Sequence, residues 1–274
     1  MPLRLGRIVT DSRRIEPGDV FWAIPGQRYD GADFVGEAYA RGAAGVVAQR
    51  LVDPRPARWS LHVRDAVGAL WQVAREKRRR FQGKVIAVTG SVGKTTTREM
   101  IHTVLAQSLS GTTSPRNFNN HLGVPLSMLG WRDHDDYAVV ELGASRGGEI
   151  ERLAALCAPH VGVITRLGEA HLDSFGSLQG IDEAKAELLA ALPPDGWAIL
   201  NADDARMRRV RRPSRHRVLW VGASPTSEIQ AVDIQNGQGQ LRFHIDGQPL
   251  SLPVWGGHHL SSALVAVAVG RLMQ

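Results

Sequence analysis

The sequence predicts an α/β protein in which a small N-terminal α/β domain is followed by a doubly wound, mostly parallel-sheet P-loop domain. Three observations support this prediction. Short continuous apolar runs alternate with helical stretches along most of the chain, which is typical of parallel strands that helices cover on both faces. A glycine-rich loop joins one of these strands to a helix. The chain has 274 residues, which is long enough for two domains.

The composition restricts the class of protein. Hydrophobic residues make up 43% and charged residues 22%, which excludes a disordered or collagen-like chain. The 33 Lys and Arg residues exceed the 27 Asp and Glu residues, so anionic partners are favoured. The single cysteine, Cys157, excludes an internal disulfide, and the most apolar stretch, residues 263–269, is shorter than the ~18 apolar residues of a membrane span. We expect a cytoplasmic protein with no signal peptide and no membrane span.

Residues 1–82 are predicted to form the first domain. Apolar runs predict strands and intervening segments predict helices; the strands are residues 21–24, 45–48 and 59–63, and the helices are residues 33–41 and 66–81. The second helix ends in Lys77-Arg78-Arg79-Arg80, a charge run that we expect to face water. Gln82-Gly83 then resembles a hinge to the second domain.

Residues 83–274 are predicted to form the larger domain. Its strands are residues 85–89, 138–142, 161–165, 198–201 and 218–221, and its helices are residues 95–109, 148–156 and 181–192. After Ser227 the pattern alternates, with hairpin turns predicted at Asn236-Gly237 and Asp246-Gly247. A last helix is predicted to begin near His259 and is still helical in character at Gln274, so we expect the chain to be truncated at its end.

The glycine-rich loop carries the strongest functional motif. It follows an apolar strand and opens a helix, which is the context of a phosphate-binding loop, and comprises Gly90, Ser91, Val92, Gly93, Lys94, Thr95 and Thr96. We expect its backbone amides to bind phosphate, Lys94 to neutralise the β and γ oxygens, and Thr95 to bind Mg²⁺. The loop departs from the strict pattern because Val88 stands where the first glycine would be.

Three further side chains lie near the carboxyl ends of predicted strands or in the helix that follows. Glu141 ends a hydrophobic strand, where a carboxylate is a candidate magnesium ligand, although a capping or ion-paired role is the alternative. His171 follows the strand at residues 161–165, and Lys185 lies in the helix at residues 181–192. From the pattern alone, a structural histidine and an ordinary surface lysine are the favoured interpretations.

Several ordered motifs together resemble the Mur ligase family over nearly the whole chain. Besides the phosphate loop, they are NFNNHLGVPL at residues 117–126 and ELGA at residues 141–144. In the first domain, TDSRR at residues 10–14 and GQRYDG at residues 26–31 are similar to the family's uridine-nucleotide domain. The resemblance implies that Ser12, Arg13, Asn119 and Asn120 bind substrate.

The resemblance implies an ATP-dependent ligase that forms an amide bond. Such a ligase activates a substrate carboxylate as an acyl phosphate, and an amine then attacks it. Within the family, the motif N-N-x-[IL]-G-x-P-L and the ELGA strand end resemble the members that join D-alanyl-D-alanine to UDP-N-acetylmuramoyl-tripeptide in peptidoglycan precursor synthesis, rather than the ligase that adds the third residue. ATP and Mg²⁺ are the implied cofactors, and the larger domain is the implied ATPase domain.

The resemblance also changes the interpretation of two residues. The segments GEAHL at residues 168–172 and GIDEAKAE at residues 180–187 match motifs that serve a second Mg²⁺, so His171 and Lys185 (as a carbamate) become expected metal ligands. Lys94, Lys185 and His171 are then the expected catalytic residues. In the adenine-binding motif, His259 and Ser262 stand where the family has asparagines, although His259 remains the expected ATP contact.

Two alternatives to this ligase stay open. Another amide ligase of the superfamily, such as a folylpolyglutamate synthase, is disfavoured by Asp11-Ser12-Arg13. The second alternative is a non-catalytic nucleotide-binding remnant. The arginine-rich stretch at residues 206–217 lacks interleaved aromatics, so we expect a solvated loop and no nucleic acid. We expect a monomer that lacks the family's third domain and that does not ligate by itself.

Overall fold

The chain divides into two compact units, Met1–Glu76 and Lys77–Gln274. The computed structural model describes residues 6–53, 55–56, 58–115, 117–168, 175–210 and 217–273. The division lies inside a helix, α2 (Ala66–Arg80), and the predicted hinge at Gln82-Gly83 follows the end of that helix. Among the helices of the described residues, none combines the length and the apolar character that crossing a membrane requires.

The first unit is a small α/β layer, as predicted. Its elements are β1 (Ile8–Val9), β2 (Val20–Trp22), α1 (Val35–Ala40), β3 (Gly45–Ala48), β4 (Trp59–His62) and the greater part of α2. The four strands lie in the order β1-β2-β3-β4, and all neighbours are parallel. The core is apolar because strand residues such as Phe21 and Val46 pack against Ala38 and Tyr39 of α1.

The second unit is built on a parallel sheet of seven strands in the order β11-β10-β9-β8-β5-β7-β6. The strands are β5 (Lys84–Thr89), β6 (Gly111–Thr113), β7 (Tyr137–Glu141), β8 (Val161–Ile164), β9 (Trp197–Asn201), β10 (Arg217–Gly222) and β11 (Ile229–Gln230). The helices between them are α3 (Lys94–Leu105), α4 (Gly123–Leu129), α5 (Glu149–Cys157) and α6 (Leu178–Ala190). The sheet confirms the predicted doubly wound α/β class.

Register at the centre of this sheet positions the candidate site. Strand β5 lies between β7 and β8, so β7 and β6 continue the sheet on one side of β5 and β8 to β11 continue it on the other side. Val88 of β5 lies opposite Glu141, and Thr89 lies opposite Ile164 of β8. The carboxyl ends of the three central strands therefore meet at one edge, which is where ligands bind in open parallel sheets.

The last part of the second unit differs from the prediction at one turn. It comprises the antiparallel strands β12 (Val232–Gly237), β13 (Gln240–Ile245) and β14 (Gln248–Leu252), followed by α7 (His259–Leu272), which packs against α3. The turn predicted at Asn236-Gly237 is wrong, because β12 continues through Gly237 and the turn with positive φ is Gln238-Gly239. Asp246-Gly247 turns as predicted, with φ of 50° and 77°.

The basic end of α2 does not simply face water. The Arg78 guanidinium donates from Nε to the carbonyl of Cys157 at 2.6 Å and from Nη2 to the carbonyl of Ala158 at 2.9 Å. These carbonyls end α5, where the chain turns with a φ of 42° at Ala158. Lys77 pairs with Asp133 at 2.6 Å. The expectation that the whole charge run faces water is therefore wrong for Arg78. Its guanidinium caps the carboxyl end of α5, whose last carbonyls have no hydrogen-bond donor within the helix.

Replacing Arg78 with methionine is expected to lower the free energy of unfolding by about 1–2 kcal/mol, since two carbonyls at the negative end of a helix lose a charged donor. Chemical denaturation of the purified chain measures this change. Arg75→Met on the exposed face of the same helix is the control and should change stability by less than about 0.5 kcal/mol. Equal stability of the two variants would show that the Arg78 cap contributes nothing.

Candidate nucleotide-binding site

The glycine-rich loop adopts a conformation that requires its glycines. Gly90 and Gly93 have φ of 143° and 86°, which side chains of L residues rarely tolerate. A Cβ on Gly90 would also lie 2.1 Å from Oγ1 of Thr165. The Ser91 amide donates to the Arg166 carbonyl at 2.8 Å, which fastens the loop to the segment after β8. The loop thus lies close against the sheet edge, and α3 begins at Lys94.

Lys94 lies inside the loop that precedes it. Its Nζ donates to the carbonyls of Gly90 at 2.8 Å and Ser91 at 3.3 Å. Burial lowers the pKa of the Lys94 amine, and the charge of Glu141 opposes this shift. The ammonium thus lies at the loop that is predicted to bind phosphate, and neutralisation of phosphate oxygens by Lys94 stays a prediction.

Glu141 is the polar centre of the sheet edge. Its side chain is 3% exposed, and both oxygens accept hydrogen bonds. Thr95 Oγ1 donates to Oε2 at 2.8 Å, and Asn119 Nδ2 donates to Oε1 at 2.9 Å. Arg98 Nη1 lies 3.4 Å from Oε2 as an ion-pair partner. The structure therefore brings together Thr95 and Glu141, two of the four residues that were predicted to bind Mg²⁺.

The two asparagines of the NFNNHLGVPL segment lie in different environments. Asn119 contacts Glu141 through its side chain, and its carbonyl accepts from the Gly143 amide at 2.7 Å. Asn120 Oδ1 instead accepts from the amides of Leu122 at 3.1 Å and Gly123 at 2.8 Å. Asn120 therefore caps the start of α4, which is the usual role of asparagine before a helix. Binding of substrate by either asparagine stays a prediction.

Lys185 is not a surface lysine, so the interpretation from its pattern alone is wrong. The residue is 4% exposed, and its Nζ lies 5.3 Å from the centre of the Phe175 ring. Burial and the positive charge of Lys94 lower the pKa of the Lys185 amine to about 8. Lys185 is therefore a buried amine whose pKa depends on the charge of Lys94 as well as on burial.

The structure leaves one predicted ligand undescribed. His171 lies outside the described residues, so its predicted role at a second Mg²⁺ stays a prediction. Within the described ranges, no three His, Cys, Asp or Glu side chains group as a metal site. The oxygen donors of Thr95 and Glu141 do suit Mg²⁺, which is a hard cation that keeps water ligands and takes few protein ligands.

A cavity of about 530 Å³ adjoins the loop. Its walls come from four segments, which are residues 92–96, 165–167, 201–206 and 257–262. The volume falls in the range of small-molecule sites. Val92, Gly93 and Thr96 of the phosphate loop belong to the lining, so a nucleotide bound by the loop can extend into this cavity.

The histidines at the start of α7 form one wall of the cavity. The rings of His258 and His259 lie 4.1 Å apart between centroids, and Nδ1 of His259 is buried without a hydrogen-bond partner among the described residues. Burial lowers the pKa of His259. Ser262, one turn later, shares a hydrogen bond of 2.8 Å with Thr97 and so fastens α7 to the loop helix. Contact of His259 with ATP stays a prediction.

The predicted substrate residues of the first unit have local partners. Ser12 Oγ donates to Glu37 Oε2 at 2.7 Å. The exposed Arg13 guanidinium pairs with Asp11, with Nη2 2.8 Å from Oδ2. Because the Arg13 side chain is 78% exposed, an anionic ligand can reach it in competition with Asp11, and binding of a uridine nucleotide stays a prediction.

Sequence reasoning missed two residues of this site. Arg98 is fully buried beneath Glu141, and Thr165 Oγ1 donates to the Val92 carbonyl of the loop at 2.7 Å. Arg98 follows Lys94 by four residues, so helical periodicity gave a signal that it shares a face with the loop lysine. No comparable signal existed for Thr165.

Comparisons with known proteins identify relatives along both units. The profile of the Mur ligase middle domain matches residues 88–270, and the profile of the Mur ligase family catalytic domain matches residues 5–70. The chain is 36% identical over 272 residues to the UDP-N-acetylmuramoyl-tripeptide–D-alanyl-D-alanine ligase of a Synechocystis species, covering 99% of this chain and 59% of the relative. The ligase of the same name from Escherichia coli is 34% identical, with 97% and 60% covered.

Solved structures of Mur ligases are similar to this chain as well. MurF from Acinetobacter baumannii superposes with a TM-score of 0.87 at 34% identity, covering 97% of this chain and 59% of that protein. MurF ligase from Thermotoga maritima in complex with ADP superposes with a TM-score of 0.85 at 31% identity, covering 99% and 64%. The chain spans about three fifths of the length of the curated relatives that it matches.

The coupling between the two buried amines is testable by NMR titration of labelled lysine side chains. Lys185 should titrate near pH 8, and Lys94→Met should raise its pKa because a like charge is removed. The pKa should stay below the ordinary lysine value of 10.5, since burial remains the larger cause. Lys84→Met, at the exposed start of β5, is the control. An unchanged Lys185 pKa in the Lys94 variant would contradict the shared environment.

Proposed function

The chain belongs to the Mur ligase family, and on this premise we propose that it carries the ATP site and the uridine-nucleotide site of a ligase joining D-alanyl-D-alanine to UDP-N-acetylmuramoyl-tripeptide. Its relatives from Synechocystis and Escherichia coli are UDP-N-acetylmuramoyl-tripeptide–D-alanyl-D-alanine ligases, which supports these substrates. The ADP complex of the Thermotoga maritima relative supports the use of ATP. The observation that carries the proposal is Glu141 held by Thr95 and Asn119 at the phosphate loop, because it joins three separate motifs in one site.

The chemistry explains why the site concentrates cations and hydrogen-bond donors. A carboxylate is a poor electrophile, so a carboxylate oxygen of the tripeptide attacks the γ-phosphorus of ATP and ADP leaves. The amine of D-alanyl-D-alanine then attacks the acyl carbon, and phosphate leaves with formation of the amide. Both steps bring negatively charged groups together, and preorganised positive charge at the phosphates lowers that cost.

Residues of this chain would divide these tasks. Lys94 and the amides that open α3 offset charge on the phosphates. Thr95 and Glu141 would hold Mg²⁺, which supplies a further positive charge at the phosphate oxygens when it is bound. Thr96 and His259 line the cavity into which the rest of the nucleotide would extend.

Lys185 enters the proposal as an amine. The relatives give no support to a carbamate on this lysine, so the carbamate is not part of the proposed mechanism. With a pKa of about 8, the amine is mostly protonated at neutral pH, and bound phosphates would favour the protonated form further. Lys185 then contributes a second cation beside Lys94. The proposed metal role of His171 rests on its motif alone.

Residues 1–82 would bind the uridine nucleotide, and residues 83–274 would bind ATP. In the first unit the exposed Arg13 can pair with a diphosphate, and Ser12 can turn its hydroxyl from Glu37 toward a ligand. We place the reaction in the cytoplasm, where its nucleotide substrates occur, with the chain acting as a monomer.

Residues 1–274 alone are proposed to bind nucleotide without completing ligation. An acyl phosphate must be kept from water, and the incoming amine must be positioned. Positioning can contribute about 7–11 kcal/mol to an intramolecular step. Since the chain spans about three fifths of its relatives, closure and amine positioning belong to the remaining part of those proteins in this proposal.

Lys94→Ala is expected to weaken binding of a non-hydrolysable ATP analogue by about 100-fold or more, because the phosphates lose a buried cation and its hydrogen bonds. Isothermal titration calorimetry with Mg²⁺ measures the affinity. Lys84→Ala, at the opposite end of β5, should bind as the parent chain does. Equal affinity of the parent chain and Lys94→Ala would remove the assignment of the phosphate loop.

The 274-residue chain mixed with ATP, Mg²⁺, UDP-N-acetylmuramoyl-tripeptide and D-alanyl-D-alanine is expected to yield no pentapeptide, although it binds the nucleotide. Mass spectrometry of the mixture detects the product. A matched reaction with the full-length relative from Escherichia coli is the positive control. Pentapeptide formed at a rate typical of enzymes, ~1 s⁻¹ or faster, would show that these residues suffice for amine binding and closure.

A further inference from the structure

We propose that Arg98 is the positioning residue for Glu141, holding the carboxylate in the orientation that receives a magnesium–nucleotide complex. The proposal rests on the proposed function, because it assumes that Thr95 and Glu141 serve a phosphate-bound cation. Among the described residues, Arg98 is not part of the cavity lining, and its guanidinium hydrogen bonds go to Glu141, Glu99 and Pro115. Its action on the nucleotide would therefore pass through Glu141.

The burial of Arg98 is the first argument. The side chain is completely buried, and arginine is seldom buried unless its charge is paired. Its guanidinium contacts Glu141 Oε2 at 3.4 Å, Glu99 Oε1 at 2.5 Å and the Pro115 carbonyl at 3.4 Å. A buried carboxylate and a buried guanidinium thus neutralise each other under the phosphate loop.

The place of Arg98 on α3 is the second argument. Thr95 and Arg98 are three residues apart, so they lie on one face of the helix and reach the same carboxylate oxygen. Lys94 lies one helical turn before Arg98, on the same side of α3. Helix α3, which follows the phosphate loop, therefore contacts the Glu141 carboxylate through two side chains.

The contact with Pro115 is the third argument. Pro115 begins the segment that carries Asn119, and Asn119 holds the other oxygen of Glu141 at 2.9 Å. One guanidinium thus spans the helix, the carboxylate and the segment that supplies the second donor. A lysine in this position keeps the charge but lacks the planar fork that reaches several acceptors at once.

Loss of the guanidinium has a defined consequence for the site. Lys94 already interacts electrostatically with Glu141. Without Arg98, the carboxylate is free to turn toward the Lys94 ammonium. That turn would remove the carboxylate from the cation site and occupy the lysine that the phosphates need. Nucleotide affinity in the presence of Mg²⁺ should fall most, because only Mg²⁺-dependent binding needs Glu141 in its present orientation.

The test compares affinity for a non-hydrolysable ATP analogue in excess Mg²⁺ and in EDTA, by calorimetry, for the parent chain and Arg98→Lys. We expect Arg98→Lys to weaken binding about tenfold or more in Mg²⁺ and less than about twofold in EDTA. In a Glu141→Gln background the same change should add less than about twofold. Arg152→Lys, at an exposed site on α5, is the matched control and should change neither affinity.

The outcomes separate three explanations. Equal weakening in Mg²⁺ and in EDTA, or a full effect that persists beside Glu141→Gln, assigns Arg98 a purely structural role and overturns the proposal. Absence of nucleotide binding by the parent chain refutes the proposed function itself. If Arg98→Lys does not fold, Glu99→Gln removes the exposed partner of the guanidinium and should weaken only the Mg²⁺-dependent affinity, by about threefold. Unchanged Mg²⁺-dependent affinity of Glu99→Gln overturns the proposal as well.

Discussion

The buried carboxylate of Glu141 is the constraint on which the candidate site depends. A charged group that is 3% exposed must be paired and hydrogen-bonded, and its partners come from more than one element. Thr95 and Arg98 come from α3, Asn119 comes from the segment after β6, and the Glu141 amide itself donates to Ser114 Oγ at 3.3 Å. Satisfying this one side chain fixes how the phosphate-loop helix, the central strands and the asparagine segment fit together.

The sheet makes this arrangement possible. Parallel strands place Val88 opposite Glu141 and Thr89 opposite Ile164, so the loop, the carboxylate and Thr165 begin from adjacent strand ends. Thr165 lies so close to the loop that only glycine fits at position 90. Val88, which stands where the strict phosphate-loop pattern has its first glycine, is a fully buried residue of β5 that pairs in the sheet, so the loop itself begins at Gly90.

Periodicity and motif spacing predicted the parts of the molecule that local chemistry determines. The buried strands are uniformly apolar, so β5, β7 and β8 were located to within one residue, and the loop, Thr95 and Glu141 followed from strand ends that share an edge. The turn after β12 was misplaced because Asn236-Gly237 has the composition of a turn while pairing extends the strand to Gly237. Burial of Lys185 and Arg98 depends on tertiary packing, which a local sequence pattern does not predict. The roles of His171, Ser12 and Arg13 rest on resemblance to the family.

A crystal structure of the chain with a non-hydrolysable ATP analogue and Mg²⁺ tests the central claim most directly, since that claim is geometric. We predict that the terminal phosphates lie against the backbone amides of residues 90–95, with Lys94 turned from its loop carbonyls toward phosphate oxygens. Mg²⁺ should lie beside Thr95 Oγ1, with Glu141 bound to it directly or through one water. Phosphates bound elsewhere, or a cation bound without Thr95 and Glu141, would contradict the account.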